Sequence, residues 1–528
     1  MNALTGTGTL IRFGLRRTRI RMLVWIIGIG AIVVFSAVSV KNLYPTPESL
    51  AEVAALSQDN VAAIVFNGPA QSLDTLGGQI AFQIGTFGLI MIALMSVFMI
   101  GFLTRAEEEN GRTELLLSTT LGHHAPLTAA VVLVSALNLV VAVIVTIGLA
   151  AMDLPLTGSI AFGVSFFVLG LVFVGLAAVA AQVTENTRVV YGSCGALIGI
   201  SFVLRAIGDI GDGKVSWLSP IGWSQKLRPY AGEQWWALLV PAVAIVLLAV
   251  ASWRLTEHRD VGAGLIQPRP GRPSASPRLG SPFGLAVRLQ RGSVIGWAFG
   301  LALLGITYGS VADQIDQFVG DNKQLADYFA TAGGASLIDS FFATSMLMLA
   351  LIGGGFAVQS TLRLTTEESS LRAEPLLATP VSRVRWAGSH LAVALLGSVL
   401  VLGLTGLGMA LTYGIIIGDF SRLPELVGAE LTYLPAVWVL VGLTLLLYGL
   451  VPRATAAAWA AYGLMLLSGL LGDLLDLPGW VLRLSPFAHV PDLPATDFRL
   501  LPLVVLTVLA AALTAAGLAG FRRRDTPA

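Results

Sequence analysis

The chain has 528 residues, 55% of them hydrophobic and 12% charged, with a formal net charge of +1 and a mean hydropathy of +0.79. A water-soluble domain carries about 25% charged residues, so half that density between long apolar runs excludes a soluble fold and sets lipid as the solvent. The single cysteine, Cys194, excludes an internal disulfide or thiolate metal cluster, and the five histidines never fall at a metal-ligand spacing.

From the N-terminus, Arg12, Arg16, Arg17, Arg19 and Arg21 precede an apolar run over 23–40. That run is longer than the core of a secretory signal and reads as a retained first membrane helix. Five further runs long enough to cross the hydrocarbon are predicted at 81–103, 127–150, 158–181, 189–207 and 236–254. The longest outer loop of this half, 41–79, carries small polar and acidic residues and is expected to form short helices.

Between the second and third spans, Thr104 to Thr119 read TRAEEENGRTELLLST. On a helix, Glu108 and Arg112 would pair at i,i+4. Thr104 and Glu107 resemble a capping box one position out of register, and Leu116 and Leu117 offer an apolar footing. The expectation is a short polar helix below the membrane, presented to something in the cytoplasm. Further on, residues 208–215 read GDIGDGKV, close to a phosphate loop. Val215 replaces the hydroxyl residue that would bind magnesium, and no strand–loop–helix context surrounds it. No nucleotide site is therefore expected in this chain.

A Pro-, Ser- and Arg-rich stretch, QPRPGRPSASPRLGSP, reads as an extended or flexible cytoplasmic connector. It divides the chain into a first repeat over 1–262, a linker over 263–282 and a second repeat over 283–528. The second repeat has predicted spans at 293–311, 337–360, 387–415, 428–450, 455–475 and 500–520. The run at 387–415 is too long for one upright span. The repeat is visible in residue types. Arg16, Arg19, Trp25 and Gly28 match Arg288, Arg291, Trp297 and Gly300 at an offset of 272. Glu107, Glu108, Arg112, Glu114 and Thr119 match Glu367, Glu368, Arg372, Glu374 and Thr379 at an offset of 260. Leu218-Ser219-Pro220 meets Leu484-Ser485-Pro486.

With the N-terminus inside, most of the 32 Lys and Arg residues fall in cytoplasmic segments, while Lys41, Lys214, Lys226 and Lys323 fall outside. Six spans per half return the C-terminus to the cytoplasm and make the halves parallel repeats about an axis along the membrane normal. The fold class is thus an all-α polytopic membrane protein of about 12 transmembrane helices, in two parallel six-helix repeats with both termini cytoplasmic. Two copies of one charged segment suit a two-fold partner. Among ionisable groups near the spans, Arg205, Asp339 and Glu430 sit near predicted outer ends, close to water, and are expected to be structural; His390 is the fourth.

The stretches RAEEENGRTELL, EPLLATPVSRVRW and SPIGWSQKLRPYAGEQWW, spread over both halves, resemble ABC-2 type ATP-binding cassette exporter permeases, in particular the double-length permeases of actinobacterial tetronasin-type polyketide exporters. That resemblance implies that the segments carrying Glu107, Glu108, Arg112, Glu114 and Thr119, and Glu367, Glu368, Arg372, Glu374 and Thr379, are coupling helices for the ATPase. It also implies an N-terminal interfacial helix over 10–21, with Arg12, Arg16, Arg17 and Arg19, and less closely over 283–291, with Arg288 and Arg291. Spans two and eight would line the pathway. Met91, Met95 and Met99 with Phe341, Phe342 and Met346 would suit bulky apolar cargo, although plain helix packing explains the same residues. The implied partners are two copies of a cytoplasmic ABC ATPase subunit holding ATP and Mg, a hydrophobic small-molecule substrate and membrane lipid, with no nucleic acid. This chain would carry no cofactor, metal or catalytic group, and would export an antibiotic, polyketide or other drug across a bacterial plasma membrane. Two other classes stay open. One is a 6+6 ion-driven secondary transporter; the other is a membrane-embedded lipid-processing enzyme, for which no convergent acid, base or metal cluster is visible.

Overall fold

Helices make up the regular structure: a computed structural model describes residues 3–58, 61–260, 262–266, 273–312, 337–471 and 478–524, and among these no strand occurs. The chain divides into two compact units, Met1–Gly271 and Arg272–Ala528.

In the first unit, α1 (Thr7–Leu43) is followed by the short α2 (Pro47–Gln58) and α3 (Val61–Asn67) of the outer loop. Then come α4 (Leu76–Leu103), the short α5 (Arg105–Glu109) and α6 (Arg112–Leu117), α7 (Ala125–Ala150), α8 (Leu156–Val183), α9 (Thr187–Ile210), the short α10 (Pro220–Gln225) and α11 (Leu239–Glu257). Side-chain caps mark several starts: Thr75 accepts from the Gly78 amide and Asn186 from the Arg188 amide, each satisfying a backbone donor the helix leaves open. The core of this unit runs through α1, α4, α7, α8 and α9, with Ile29, Ile92, Val141, Phe166 and Phe173 fully buried.

In the second unit, α12 (Pro282–Val311), α13 (Leu337–Thr361), the short α14 (Arg363–Ser369) and α15 (Ala373–Leu377), and α16 (Arg383–Ile417) repeat the first unit's order. They are followed by α17 (Leu423–Leu431), α18 (Leu434–Leu450), α19 (Ala457–Leu471) and α20 (Leu500–Arg523). Glycines let neighbouring backbones touch here. A Cβ on Gly309 of α12 would lie 2.2 Å from the Met409 carbonyl oxygen of α16, and one on Gly449 of α18 would lie 2.0 Å from the Gly517 carbonyl oxygen of α20. Such small-residue seams replace the hydrophobic drive that lipid does not supply.

Among the described residues, eleven helices are long and apolar enough to cross a membrane, against about 12 predicted. Of the predicted span over 455–475, the described part is the 15-residue α19; residues 472–477 lie outside the described residues. The 428–450 span is two helices: α17 ends at Leu431, and Pro435 opens α18, where a missing N–H costs nothing. The long run at 387–415 is one 35-residue helix, α16. The separate interfacial helix expected over 10–21 is not separate. Its residues continue without a break into the first span as the 37-residue α1, about 55 Å long and so well beyond the hydrocarbon. Residues 283–291 likewise form the first turns of α12. Residues 313–336, between the predicted spans at 293–311 and 337–360, lie outside the described residues.

Candidate functional site

The charged segment between the second and third helices of each unit is an elbow of two short helices. In the first unit α5 stops at Glu109, Gly111 takes a left-handed φ of +68°, and α6 starts at Arg112. In the second, α14 stops at Ser369, Leu371 takes φ of +57°, and α15 starts at Ala373. Gly111 and Leu371 are equivalent positions at the offset of 260. Only Gly adopts that conformation freely.

The break overturns two local expectations. Glu108 and Arg112 do not pair at i,i+4, because the left-handed residue between them ends the helix. Instead Arg112 reaches Glu107 at 3.3 Å, and Arg372 reaches Glu367 at 3.8 Å. No capping box forms at Thr104 either: its hydroxyl donates back to the Ile100 carbonyl at 2.7 Å, satisfying itself within the preceding turn.

The elbow acids divide into two groups. Glu107 and Glu108 are largely buried ties. Glu107 pairs with Arg17 of α1. Glu108 takes a two-point contact from Arg259, just past the end of α11, at 2.5 and 2.8 Å, and a third bond from Arg105 at 2.6 Å. Arg105 is fully buried and also donates to the Ala181 carbonyl at 2.6 Å, while Gln182 accepts from Arg259 at 2.5 Å. The second unit builds the same tie from other residues. Glu368 meets Arg524, just past the end of α20, at 2.5 and 2.6 Å, and accepts from the Tyr448 hydroxyl at 2.6 Å. Glu367 pairs with Arg363 at 2.5 Å. In each unit, then, a carboxylate of the elbow is clamped to an arginine following the last helix: Arg259 uses two guanidinium nitrogens, the fork geometry that makes such pairs strong, whereas Arg524 shares one nitrogen between both oxygens of Glu368.

The other group faces outward. Arg112 and Arg372 are both 51% exposed, and Glu114, Thr119, Glu374 and Thr379 are exposed as well. Thr119 and Thr379 each donate to a carbonyl three residues back, Leu116 and Leu376, at 2.6 Å. Leu376 and Leu377 pack on a buried patch that includes Trp386 and Phe521. Beside the first elbow, His124 stacks on Trp253 of α11 with ring centroids 4.0 Å apart. Burial holds His124 below its ordinary pKa, the neighbouring His123 adds to this, and Glu257 opposes it.

Elsewhere the predicted residues fall as follows. Arg12, Arg16, Arg17 and Arg19, with Arg288 and Arg291, are exposed along the starts of α1 and α12. Met95 and Met99 are buried in the first core with Met91 packed against it, and Phe341, Phe342 and Met346 are buried in the second. Residues 208–215 form the end of α9 and a turn; Asp209 there is tied to Arg205 and Ser216. Arg205 and Glu430 are fully buried rather than close to water. Arg205 donates to the Ile64 carbonyl at 3.1 Å. Asp339 pairs with Arg422, and His390 bonds Gln290 at 3.2 Å. Sequence reasoning missed Arg259 and Arg524 as individual partners; their only signal was a basic residue just after the last apolar run of each half.

Eleven spanning-length helices define the chain as a multi-pass membrane protein. A family model described as the C-terminal domain of the multidrug efflux system permease Rv1217c matches residues 279–522. Over 525 residues the chain is 42% identical to the multidrug efflux system permease protein Rv1217c of Mycobacterium tuberculosis (strain ATCC 25618 / H37Rv), covering 99% of this chain and 95% of that protein. The chain belongs to this family of multidrug efflux system permeases.

Proposed function

We propose that the chain is the membrane permease of a drug exporter of ABC-2 type, working in a bacterial plasma membrane with a separate ATPase. The carrying observation is the doubled elbow. Each copy presents an exposed Arg and Glu on a short helix that is anchored from behind by a buried acid–arginine tie. Two similar handles suit two copies of one cytoplasmic ATPase subunit, which would hold ATP and Mg. The Lys and Arg distribution supports a cytoplasmic side for both elbows and both termini. That the similar Mycobacterium tuberculosis protein is a multidrug efflux permease supports hydrophobic or amphipathic cargo; tetronasin-like polyketides are one class that fits. ATPase closure would shift each half only by its differential affinity for the two states. Met91, Met95, Met99, Phe341, Phe342 and Met346 are the candidate pathway residues, reached when the helices around them part.

Two measurements test this reading. Detergent-extracted protein should co-purify with a stoichiometric soluble ATPase identified by mass spectrometry. Reversing charge at both handles, Glu114→Lys with Glu374→Lys, should leave basal ATP hydrolysis in place and abolish its stimulation by drug. Unchanged stimulation would count against docking at these residues. One observation favours an ion-driven transporter instead: Glu430 is fully buried with neither carboxylate oxygen hydrogen-bonded, the setting in which an intramembrane acid serves ion movement. Transport that follows a proton gradient and ignores vanadate would select that alternative.

A further inference from the structure

The second unit contains a half-open cleft of ≈ 440 Å³ with a mixed polar and apolar lining, walled by α12, α13, α14 and the turn into α19. Its size lies within the range of small-molecule sites. Gln290, Ser293, Gln359, Ser360, Thr365 and Trp459 are among its lining residues. Several are held in place. Ser360 donates to Gln290 at 2.6 Å, Gln290 bonds His390 at 3.2 Å, and Trp297 donates to Gln359 at 2.6 Å. Two are not: the hydroxyls of Ser293 and Thr365 are buried without a hydrogen-bond partner, a state that costs free energy unless something enters to bond them. Arg363, also at the wall, is paired with Glu367 at 2.5 Å, so the wall presents hydroxyl, amide and indole groups with its one cation already compensated.

The internal repeat explains the space. At the offset of 272 for α12 and 260 for α13, Ser293 corresponds to Arg21, and Leu362 corresponds to Phe102. In the first unit those two large side chains stack, with the Arg21 guanidinium 3.8 Å from the Phe102 ring centroid. The second unit has the smaller serine and leucine at these two positions, and both border the cleft.

We infer that this cavity is a binding site for an uncharged, oxygen-rich amphiphile, a polyhydroxylated or polyether head on an apolar body. Ser293 and Thr365 bond the head, and Leu362 and Trp459 contact the body. The inference rests on the permease reading only for its cargo role; binding itself needs no ATPase, so the two can fail separately. The same chemistry is shared by a free compound and by a glycolipid head.

The test uses the full chain in phosphatidylcholine nanodiscs, with tritiated digoxin as the uncharged, sugar-bearing probe and rhodamine 6G as a cationic one. Ser293→Arg with Leu362→Phe plugs the cleft with the stacked pair that the first unit carries at these positions. Wild-type protein should bind digoxin saturably. The plugged variant should weaken that binding at least tenfold, with rhodamine 6G binding and the thermal midpoint unchanged. Thr365→Val, which keeps shape and removes one unpaired hydroxyl, should weaken it about threefold, and it carries the test if the plugged variant misfolds. Competition by digalactosyl diglyceride in the discs would assign the site to a lipid head; no competition would assign it to a free compound. Equal digoxin affinity in plugged and wild-type protein, equal loss of both probes, or no saturable digoxin binding by wild type would overturn the assignment.

Discussion

Glu108 and Glu368 hold their elbows by the same device in different surroundings. Glu108 sits between Arg259 and Arg105, both nearly buried, while Glu368 sits between Arg524 and the Tyr448 hydroxyl. Removing one partner of such a pair leaves a charge with too little solvent to stabilise it. Arg259→Ala should therefore destabilise the first unit by about 3 kcal/mol, whereas Arg112→Ala, at a half-exposed pair, should change stability by less than about 1 kcal/mol. Thermal unfolding of the reconstituted protein measures both, and the exchanged pair Glu108→Arg with Arg259→Glu should recover part of the loss. Similar small effects at both positions would remove the distinction between tie and handle. The sequence shows the acids plainly, but it lists Glu107, Glu108 and Glu114 as equals. Arg259 lies 151 positions from Glu108, and Arg524 lies 156 from Glu368, so no local spacing rule could join them.

The elements most sensitive to a single backbone angle are the elbows themselves. Gly111 has nothing within 4 Å of where a Cβ would stand, so its requirement for glycine comes from φ alone. Gly111→Ala should cost about 1 kcal/mol by strain in the left-handed region and raise amide hydrogen exchange over 105–117. Leu371 already bears that strain in the second elbow, so Leu371→Gly should lower exchange there or leave it unchanged. If both substitutions raised exchange alike, the left-handed break would not be the cause. A helical-pattern reading carries α5 straight through this break, since Glu108 and Arg112 satisfy the i,i+4 rule on paper. The same kind of reading separates the basic start of α1 from its apolar run on charge, although nothing in the backbone interrupts the helix between them.

At the scale of the whole molecule, the proposed topology places Arg112 and Arg372 on the cytoplasmic side. Cys194 is fully buried, which shields its thiol from a bulky impermeant reagent, so an introduced cysteine can report sidedness against the wild-type background. Arg112→Cys and Arg372→Cys should both react with a membrane-impermeant maleimide in inside-out vesicles and stay unlabelled in right-side-out ones. Opposite sidedness of the two would end the docking proposal.

Hydropathy and residue repetition are properties of short stretches, and for that reason the sequence alone determined the lipid-embedded all-α class, the position of nearly every span and the place of the charged segments. The failures were equally physical. The break within the 428–450 span depended on where one helix stops and the next starts, and the burial of Arg205 and Glu430 depended on neighbours from other helices. Only the tertiary structure decided which acids of the elbow turn inward and which face out. That choice is made by a left-handed residue at one position and by arginines delivered from the far end of each unit. It likewise decided that the second unit keeps an open cleft, because Ser293 and Leu362 border one space from different elements.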